Sequence, residues 1–282
     1  MKQNLKVSII GLLSNSFLFV IKLIVGILSN SIALLSDAFH SLSDTIASIA
    51  VLVSVHVSAQ KPDHNHHFGH SRAQPLAGLI FAIFAAVIGF EAILLAIKKF
   101  FVDTEVTLHY YAMLVMIISI LIKFSLYYYF KNHAHGNPAI KASAIDSRND
   151  ILLNLVVLIA IISSYFKIPY VDQAIGLIIG IIIIKSGIHI GMENIGFLMG
   201  EAPDKKTMEI IKNKLKKLKL KKIKGYRNLK AHYIGPFLHI ALEIVVNKNM
   251  TTKESHNLGE KVENKLEQLD FVEQVFVHID YE

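Results

Sequence analysis

The chain of 282 residues contains no cysteine. Thiolate metal sites and disulfide bonds are therefore excluded, and a metal ion could be held only by histidine, aspartate, glutamate or backbone oxygen atoms. Motifs of several enzyme classes are also missing, since the sequence has no nucleophile elbow, no phosphate-binding glycine loop and no HExxH pattern. We therefore do not expect an enzyme.

Charged residues are few, and long apolar runs dominate the sequence. Hydrophobic residues make up 53% of the chain, and its mean hydropathy is +0.47, too apolar for an ordinary soluble domain. Six runs are long enough to cross roughly 30 Å of hydrocarbon as helices. We place these six transmembrane helices near residues 7–28, 32–57, 75–100, 108–130, 140–166 and 171–199. The first run has spanning length and no cleavage-site pattern, which indicates a helix rather than a removable signal.

Six spans would place both ends of the chain on the same side of the membrane. Basic residues of the loops, among them Lys61, Arg72 and Lys131, favour that side, so we predict a multi-pass protein of the cell membrane with both termini cytoplasmic. The net charge of +7 is concentrated in the segment KNKLKKLKLKKIK. Nucleic-acid binding would be one explanation, but a solvated amphipathic helix at the lipid surface is simpler. We expect a lipid bilayer as partner and no nucleic acid.

Two of the apolar runs each carry a pair of metal-ligand residues. The pairs are His40 with Asp44 and Asp146 with Asp150. A spacing of four residues puts both side chains of a pair on one helical face, so two neighbouring helices would present one imidazole and three carboxylates. A carboxylate near a bilayer centre costs about 2.5–3.5 kcal/mol, which makes a purely structural polar seam the weaker explanation. The pattern predicts a path for cations through the membrane.

The loop between the second and third runs, residues 61–72, is rich in histidine. Asp63, His66 and His70 lie within eight residues of one another, and His64 and His67 fall between them. Such a density of imidazole is typical of a site for a divalent metal ion. A solvated polar loop is the alternative.

The chain changes character at Pro203. Periodicity then predicts a helix, two strands, a helix and a strand, an α+β arrangement. We therefore divide the chain into a membrane domain, residues 1–202, and a cytoplasmic domain for dimerisation and metal sensing, residues 203–282. If the last strand packs beside the last helix, a further metal site could form there. Its candidate ligands are His256, His278 and Asp280.

The ligand pairs, the six spans, the histidine-rich loop and the α+β tail together resemble the cation diffusion facilitator family over nearly the whole length. The resemblance implies a homodimeric exporter of divalent transition-metal ions, driven by inward proton flow, with a ferredoxin-like, metallochaperone-like cytoplasmic domain. It implies that the transport site consists of His40, Asp44, Asp146 and Asp150. It implies that a loop site consists of Asp63, His66 and His70.

The resemblance extends to the cytoplasmic domain with departures. His256, His278 and Asp280 match the family's metal ligands, but Arg227 and Ala241 stand where relatives have histidine. We therefore expect fewer or more weakly bound ions there. The resemblance also implies a charge interlock at the dimer interface, formed by Arg72 and Asp204.

The identity of the transported metal depends on the residue at position 146. Many zinc exporters of the family carry histidine there, whereas Asp146 resembles the manganese-exporting branch. Replacing imidazole by carboxylate makes a site harder, which favours Mn²⁺ over Zn²⁺, although His40 also suits Zn²⁺ or Fe²⁺. We favour Mn²⁺ export by proton antiport, with a Zn²⁺ or Fe²⁺ exporter as the alternative. More distant alternatives are a channel and a membrane-anchored metal sensor.

Overall fold

A computed structural model describes residues 2–101, 106–133, 138–218 and 222–282. The chain separates into two compact units. One unit combines residues 1–53 with 78–191, and the other combines residues 54–77 with 192–282. We describe each unit by itself.

Among the described residues, six long helices contribute to the first unit. They are α1 (Lys2–Ser29), α2 (Ile32–Ser58), α3 (Ala73–Phe100), α4 (His109–His133), α5 (Pro138–Tyr165) and α6 (Val171–Met199). Among the described residues, every one of these helices except α5 is long and apolar enough to cross a membrane. Helix α5 has 28 residues but carries four charged residues in its first half, and it stays a predicted span. The fold class, a helical membrane domain followed by an α+β domain, is confirmed.

Apolar packing holds α2, α4, α5 and α6 together. Leu34, Met116, Ile161 and Ile179 belong to one cluster and are fully buried. Many other large apolar side chains point outward, and Leu13 and Leu121 are each about 60% exposed. So many exposed apolar side chains are typical of helices whose outer faces contact lipid rather than water.

Small residues allow α3 and α6 to approach closely. A Cβ atom added to Gly180 would lie 3.1 Å from the carbonyl oxygen of Gly89, which no ordinary side chain tolerates without a shift. Gly187 faces Ala82 and Ala85 in the same way. Helices in membranes commonly associate through such small-residue surfaces.

The turn between α1 and α2 is held by a carboxylate from another helix. Asn30 has a positive φ of 57°, which ends α1. Asp172, in the first turn of α6, then accepts hydrogen bonds from the Ser31 hydroxyl and the Ile32 amide, both at 2.5 Å. The buried carboxylate thereby satisfies the free amide groups at the start of α2.

The second unit contains a small sheet covered by helices. Its elements are α7 (Lys205–Lys217), β1 (Ile223–Ile234), β2 (Phe237–Val246), α8 (Thr252–Leu266) and β3 (Val272–Tyr281). The strand order is β1-β2-β3, with β1 antiparallel and β3 parallel to the central β2. This is the predicted order of helices and strands. Helix α8 begins with a capping box in which the Thr251 hydroxyl and the Glu254 carboxylate each accept from the other's backbone amide.

Candidate metal sites

Helices α2 and α5 bring three of the four predicted transport ligands together. One ligand atom from each of His40, Asp44 and Asp150 lies within 4.8 Å of the others. The His40 Nε2 atom is 3.4 Å from Asp150 Oδ1. Imidazole nitrogen and carboxylate oxygen at this separation form a suitable nucleus for binding a divalent cation. We call these three residues the transport cluster.

Asp146, the fourth predicted ligand, lies outside the transport cluster but lines the same cavity. The cavity has a volume of about 740 Å³, and its lining also includes Asn15, Lys123 and Asn149. Asp146 is exposed in the single chain, one helical turn before Asp150. It could therefore meet an ion that enters the cavity on its way to the other three ligands.

A lysine that the sequence analysis did not include occupies the transport cluster. Lys123 of α4 is only 3% exposed, and its Nζ atom lies 2.5 Å from Asp150 Oδ2 and 3.8 Å from Asp44 Oδ2. The same ammonium group donates to Asn15 Oδ1 at 2.8 Å. Its position in the middle of an apolar run was the available sequence signal, because a charged side chain at membrane depth normally faces a partner.

A second buried lysine pairs with a carboxylate nearby in the same unit. The Lys22 Nζ atom lies 2.7 Å from Asp37 Oδ2, and both side chains are 1% exposed. Lys22 also donates to Ser41 Oγ at 3.2 Å and to Asn154 Oδ1 at 3.1 Å. This network ties α1 to α2 and α5 beside the transport cluster, and it pairs one positive with one negative charge.

The loop residues Asp63, His66 and His70 form a second cluster, which we call the loop cluster. Asp63 Oδ1 lies 3.2 Å from His66 Nδ1, and Asp63 Oδ2 lies 3.4 Å from His70 Nε2. The His66 backbone amide donates to Asp63 at 2.7 Å, and this bond is the main reason that the pKa of the Asp63 carboxyl is lowered. His64 and His67 are exposed and lie outside the cluster.

An aromatic side chain attaches this loop to the sheet of the second unit. The Phe68 ring lies 5.7 Å from the ring of His239 on β2 and 6.4 Å from that of Phe276 on β3. The Ser71 hydroxyl donates to Glu273 at 3.1 Å. Burial is the main reason that the pKa of His239 is lowered. These contacts fix the loop cluster relative to the sheet, which the sequence analysis did not foresee.

Among the described residues of a single chain, the predicted ligands His256, His278 and Asp280 do not form a cluster. Helix α8 packs against β3, but it contacts Val277 and Ile279 through Gly259. Since side chains alternate along a strand, His278 and Asp280 face the other side of the sheet. Asp280 is instead 3.4 Å from the guanidinium of Arg227. A site that includes His256 stays a prediction.

The two residues of the predicted dimer interlock are both exposed. Asp204 caps the first turn of α7, where it accepts from the Thr207 amide at 2.7 Å, and this bond lowers the pKa of its carboxyl. Arg72 lies just before α3. Within the described ranges of one chain no ion pair joins Arg72 to Asp204, so their pairing also stays a prediction.

Comparison with known proteins assigns both parts of the chain. The family model for the cation efflux transmembrane domain matches residues 8–199, and that for the cation efflux protein, cytoplasmic domain, matches residues 203–282. An uncharacterized transporter of Methanocaldococcus jannaschii is 33% identical, with 99% of each chain covered. The manganese efflux system proteins MneP and MneS of Bacillus subtilis are 27% and 26% identical. They cover 98% and 92% of this chain and 95% and 89% of their own lengths.

Proposed function

Because the chain belongs to the cation efflux family, whose members are transporters rather than enzymes, we propose that it exports Mn²⁺ in exchange for protons. The observation that carries this proposal is the transport cluster, in which ligand atoms of His40, Asp44 and Asp150 lie within 4.8 Å of one another. Asp146 lines the same cavity and would complete a set of one imidazole and three carboxylates.

Two independent arguments favour manganese as the substrate. Three carboxylates make a hard, oxygen-rich donor set, which suits Mn²⁺ better than the softer sets that select zinc. In addition, two full-length relatives are named as manganese efflux proteins. Zn²⁺ binds more tightly than Mn²⁺ to most simple sites, so selectivity would depend on geometry, with a coordination number above the four that zinc prefers.

Proton coupling would follow from competition for one set of ligands. A carboxylate or an imidazole can hold either a proton or the metal ion, so metal binding releases protons and protonation releases metal. If the cavity opens alternately to each side of the membrane, protons that arrive from outside displace the ion there. Rocking of helices around a fixed central site is a common way to achieve such alternation.

The remaining parts of the chain would support this cycle in a homodimer in the cell membrane, with both termini in the cytoplasm. The match to the cytoplasmic domain of cation efflux proteins supports dimerisation through residues 203–282, beside a membrane domain formed by residues 1–202. The loop cluster would be an accessory cytoplasmic site that helps the dimer close. Arg72 and Asp204 would pair between the two chains near the membrane.

Transport by the purified protein in liposomes tests the proposal. The lumen is held more acidic than the bath, and uptake of Mn²⁺, Zn²⁺, Fe²⁺ and Co²⁺ is followed at matched free-ion concentrations. We expect saturable Mn²⁺ uptake that disappears when the pH gradient is collapsed, and none above background for Asp150→Asn. Clear preference for Zn²⁺ would overturn only the choice of metal. Absence of uptake for every ion would overturn export, and non-saturable flux without a pH dependence would indicate a channel.

A further inference from the structure

Lys123 lies beside two of the carboxylates that would bind a transported ion. Its ammonium group is 2.5 Å from one oxygen of Asp150, whose other oxygen is 3.4 Å from His40 Nε2. It is also 3.8 Å from Asp44 Oδ2. A metal ion binds carboxylate oxygens at about 2.0–2.2 Å, so an ion held by Asp44 and Asp150 would lie close to the ammonium group and compete with it for these two carboxylates.

With a divalent ion bound and His40 neutral as a ligand, the charges of the cavity balance only when Lys123 is included. Asp44, Asp146 and Asp150 contribute three negative charges, and Lys123 contributes one positive charge. A divalent ion then brings the sum to zero, whereas without the lysine the loaded site would keep one negative charge. Unbalanced charge is costly where water is scarce, so this balance favours a doubly charged ion.

Lys22, which is also buried, does not provide this charge. Lys22 is 2.7 Å from Asp37, and its remaining hydrogen bonds go to the neutral groups of Ser41 and Asn154. The pair is neutral in itself. Lys123 differs from Lys22, because both carboxylates that it contacts are also predicted metal ligands. Its third contact is the amide oxygen of Asn15, which carries no charge.

We propose that Lys123 is a tethered counter-cation of the transport site, which competes with the metal ion for Asp44 and Asp150 and thereby keeps binding weak enough for release. The inference rests on the proposed function, because it takes these carboxylates to be the transport ligands. When the ion enters, the ammonium group moves away from Asp150 and keeps its hydrogen bond to Asn15. When the ion leaves, the ammonium group returns and stabilises the empty site.

Removal of the lysine charge should therefore tighten binding and slow release. In Lys123→Met we expect the affinity for Mn²⁺ to rise by about tenfold or more, because a positive charge near the ion is lost. The KM for transport should fall together with the maximal rate. Lys123→Arg keeps the charge and should stay within about threefold of the wild-type affinity. Lys123→Met combined with Asp146→Asn restores the net charge and should return affinity toward the wild-type value.

The experiment measures Mn²⁺ binding to the purified full chain by isothermal titration calorimetry at pH 8. Binding that survives in Asp150→Ala is subtracted, so that sites outside the cavity do not contribute. The matched control is Lys22→Met with Asp37→Asn, which also removes a buried lysine but leaves the net charge unchanged. It should not raise the affinity. Gel filtration and melting temperature show that each variant is folded, and Lys123→Gln replaces Lys123→Met if the latter does not fold.

Two results would overturn the inference. One is an unchanged or lowered Mn²⁺ affinity in a folded Lys123→Met or Lys123→Gln protein. The other is a rise of equal size in Lys123→Arg, which would show that bulk rather than charge matters. Failure of the proposed function is a separate outcome, since it would appear as absence of transport by the wild-type protein. The binding measurement tests the role of Lys123 whether or not the wild-type protein transports the ion.

Discussion

The transport cluster and the loop cluster use the same kinds of ligand in opposite surroundings. In the loop cluster, Asp63 is about half exposed, and it accepts hydrogen bonds from backbone amides and lies beside two histidines. In the transport cluster, Asp150 is only 13% exposed, and it is paired with the ammonium group of Lys123. Among the described residues, these are the groups of three or more such side chains that could hold a metal ion.

The difference shows what a carboxylate needs in each setting. In water the charge of Asp63 is solvated, so neutral amide donors are enough and a lysine partner would contribute little. Away from water the charge of Asp150 must be compensated by a cation, whether a lysine, a proton or a metal ion. We therefore expect the same residue types to form a static binding site in the loop and an exchangeable one between the helices.

The largest effect should come from the buried cluster. Asp150 contacts both His40 and Lys123, so Asp150→Ala removes a ligand and leaves the ammonium group without its closest partner. We expect Mn²⁺ flux in liposomes to fall by more than the roughly 10–100-fold that changes around a metal site typically cause. We expect Asp44→Ala and Asp146→Ala to abolish most of the flux as well.

Loss of folding must be separated from loss of a ligand in this test. An unpaired buried charge can destabilise a protein by about 3–5 kcal/mol, so Asp150→Asn, which keeps an oxygen acceptor for Lys123, is measured in parallel. Ile159→Ala, on an exposed part of the same helix, is the matched control and should keep its flux. Near-wild-type flux in a folded Asp150→Ala protein would contradict the four-ligand site.

The two clusters also differ in how far sequence could predict them. The loop cluster depends on contacts between residues three to seven positions apart, so the spacing of Asp63, His66 and His70 already contains its geometry. The transport cluster requires α2, α4 and α5 to meet. Helical spacing indicated the ligand pairs on α2 and α5. The apolar surroundings of Lys123 on α4 indicate that it has a partner, but not that the partner is this cluster.

In the rest of the chain, sequence patterns within one helix or strand predicted its type, whereas contacts between distant elements were not predicted. The apolar runs predicted the helices of the membrane domain. In the second unit, His278 and Asp280 lie on one face of β3, and α8 contacts Val277 and Ile279 on the other. Which face the helix covers could have been inferred from these apolar residues, whereas the pairing of Arg227 with Asp280 depends on how β1 and β3 flank β2.

A smaller effect should follow from changing the donor set rather than removing a ligand. Asp146→His would give two imidazoles and two carboxylates, a set that suits tetrahedral Zn²⁺. We expect Zn²⁺ flux to rise and Mn²⁺ flux to fall, with a change in relative preference of about 1–2 kcal/mol, or about 5–30-fold. Liposome uptake with both ions at matched free concentrations measures this ratio.

The control for this substitution is Asp146→Asn, which removes the same charge without adding a nitrogen ligand. It should lower Mn²⁺ flux without raising Zn²⁺ flux. A similar gain in Zn²⁺ flux in both variants would mean that charge, not the type of donor atom, sets the preference. If the wild-type protein already prefers Zn²⁺, the assignment of manganese fails, while the exporter assignment is unaffected because it rests on the family and not on residue 146.

The smallest effect should come from the exposed cluster. Replacing Asp63, His66 and His70 together by alanine removes the loop cluster but leaves the cavity intact, because these residues lie between α2 and α3 rather than within them. We expect equilibrium dialysis to show one bound metal ion fewer per chain. Transport should continue, with a change in KM or maximal rate well below the roughly 10–100-fold expected for changes around the metal site that carries the ion. His64→Ala with His67→Ala is the matched control, since both residues lie in the same loop outside the cluster, and it should change neither quantity.

If the triple variant were as inactive as Asp150→Ala, the loop cluster would belong to the transport path, and the distinction between a static and an exchangeable site would be wrong.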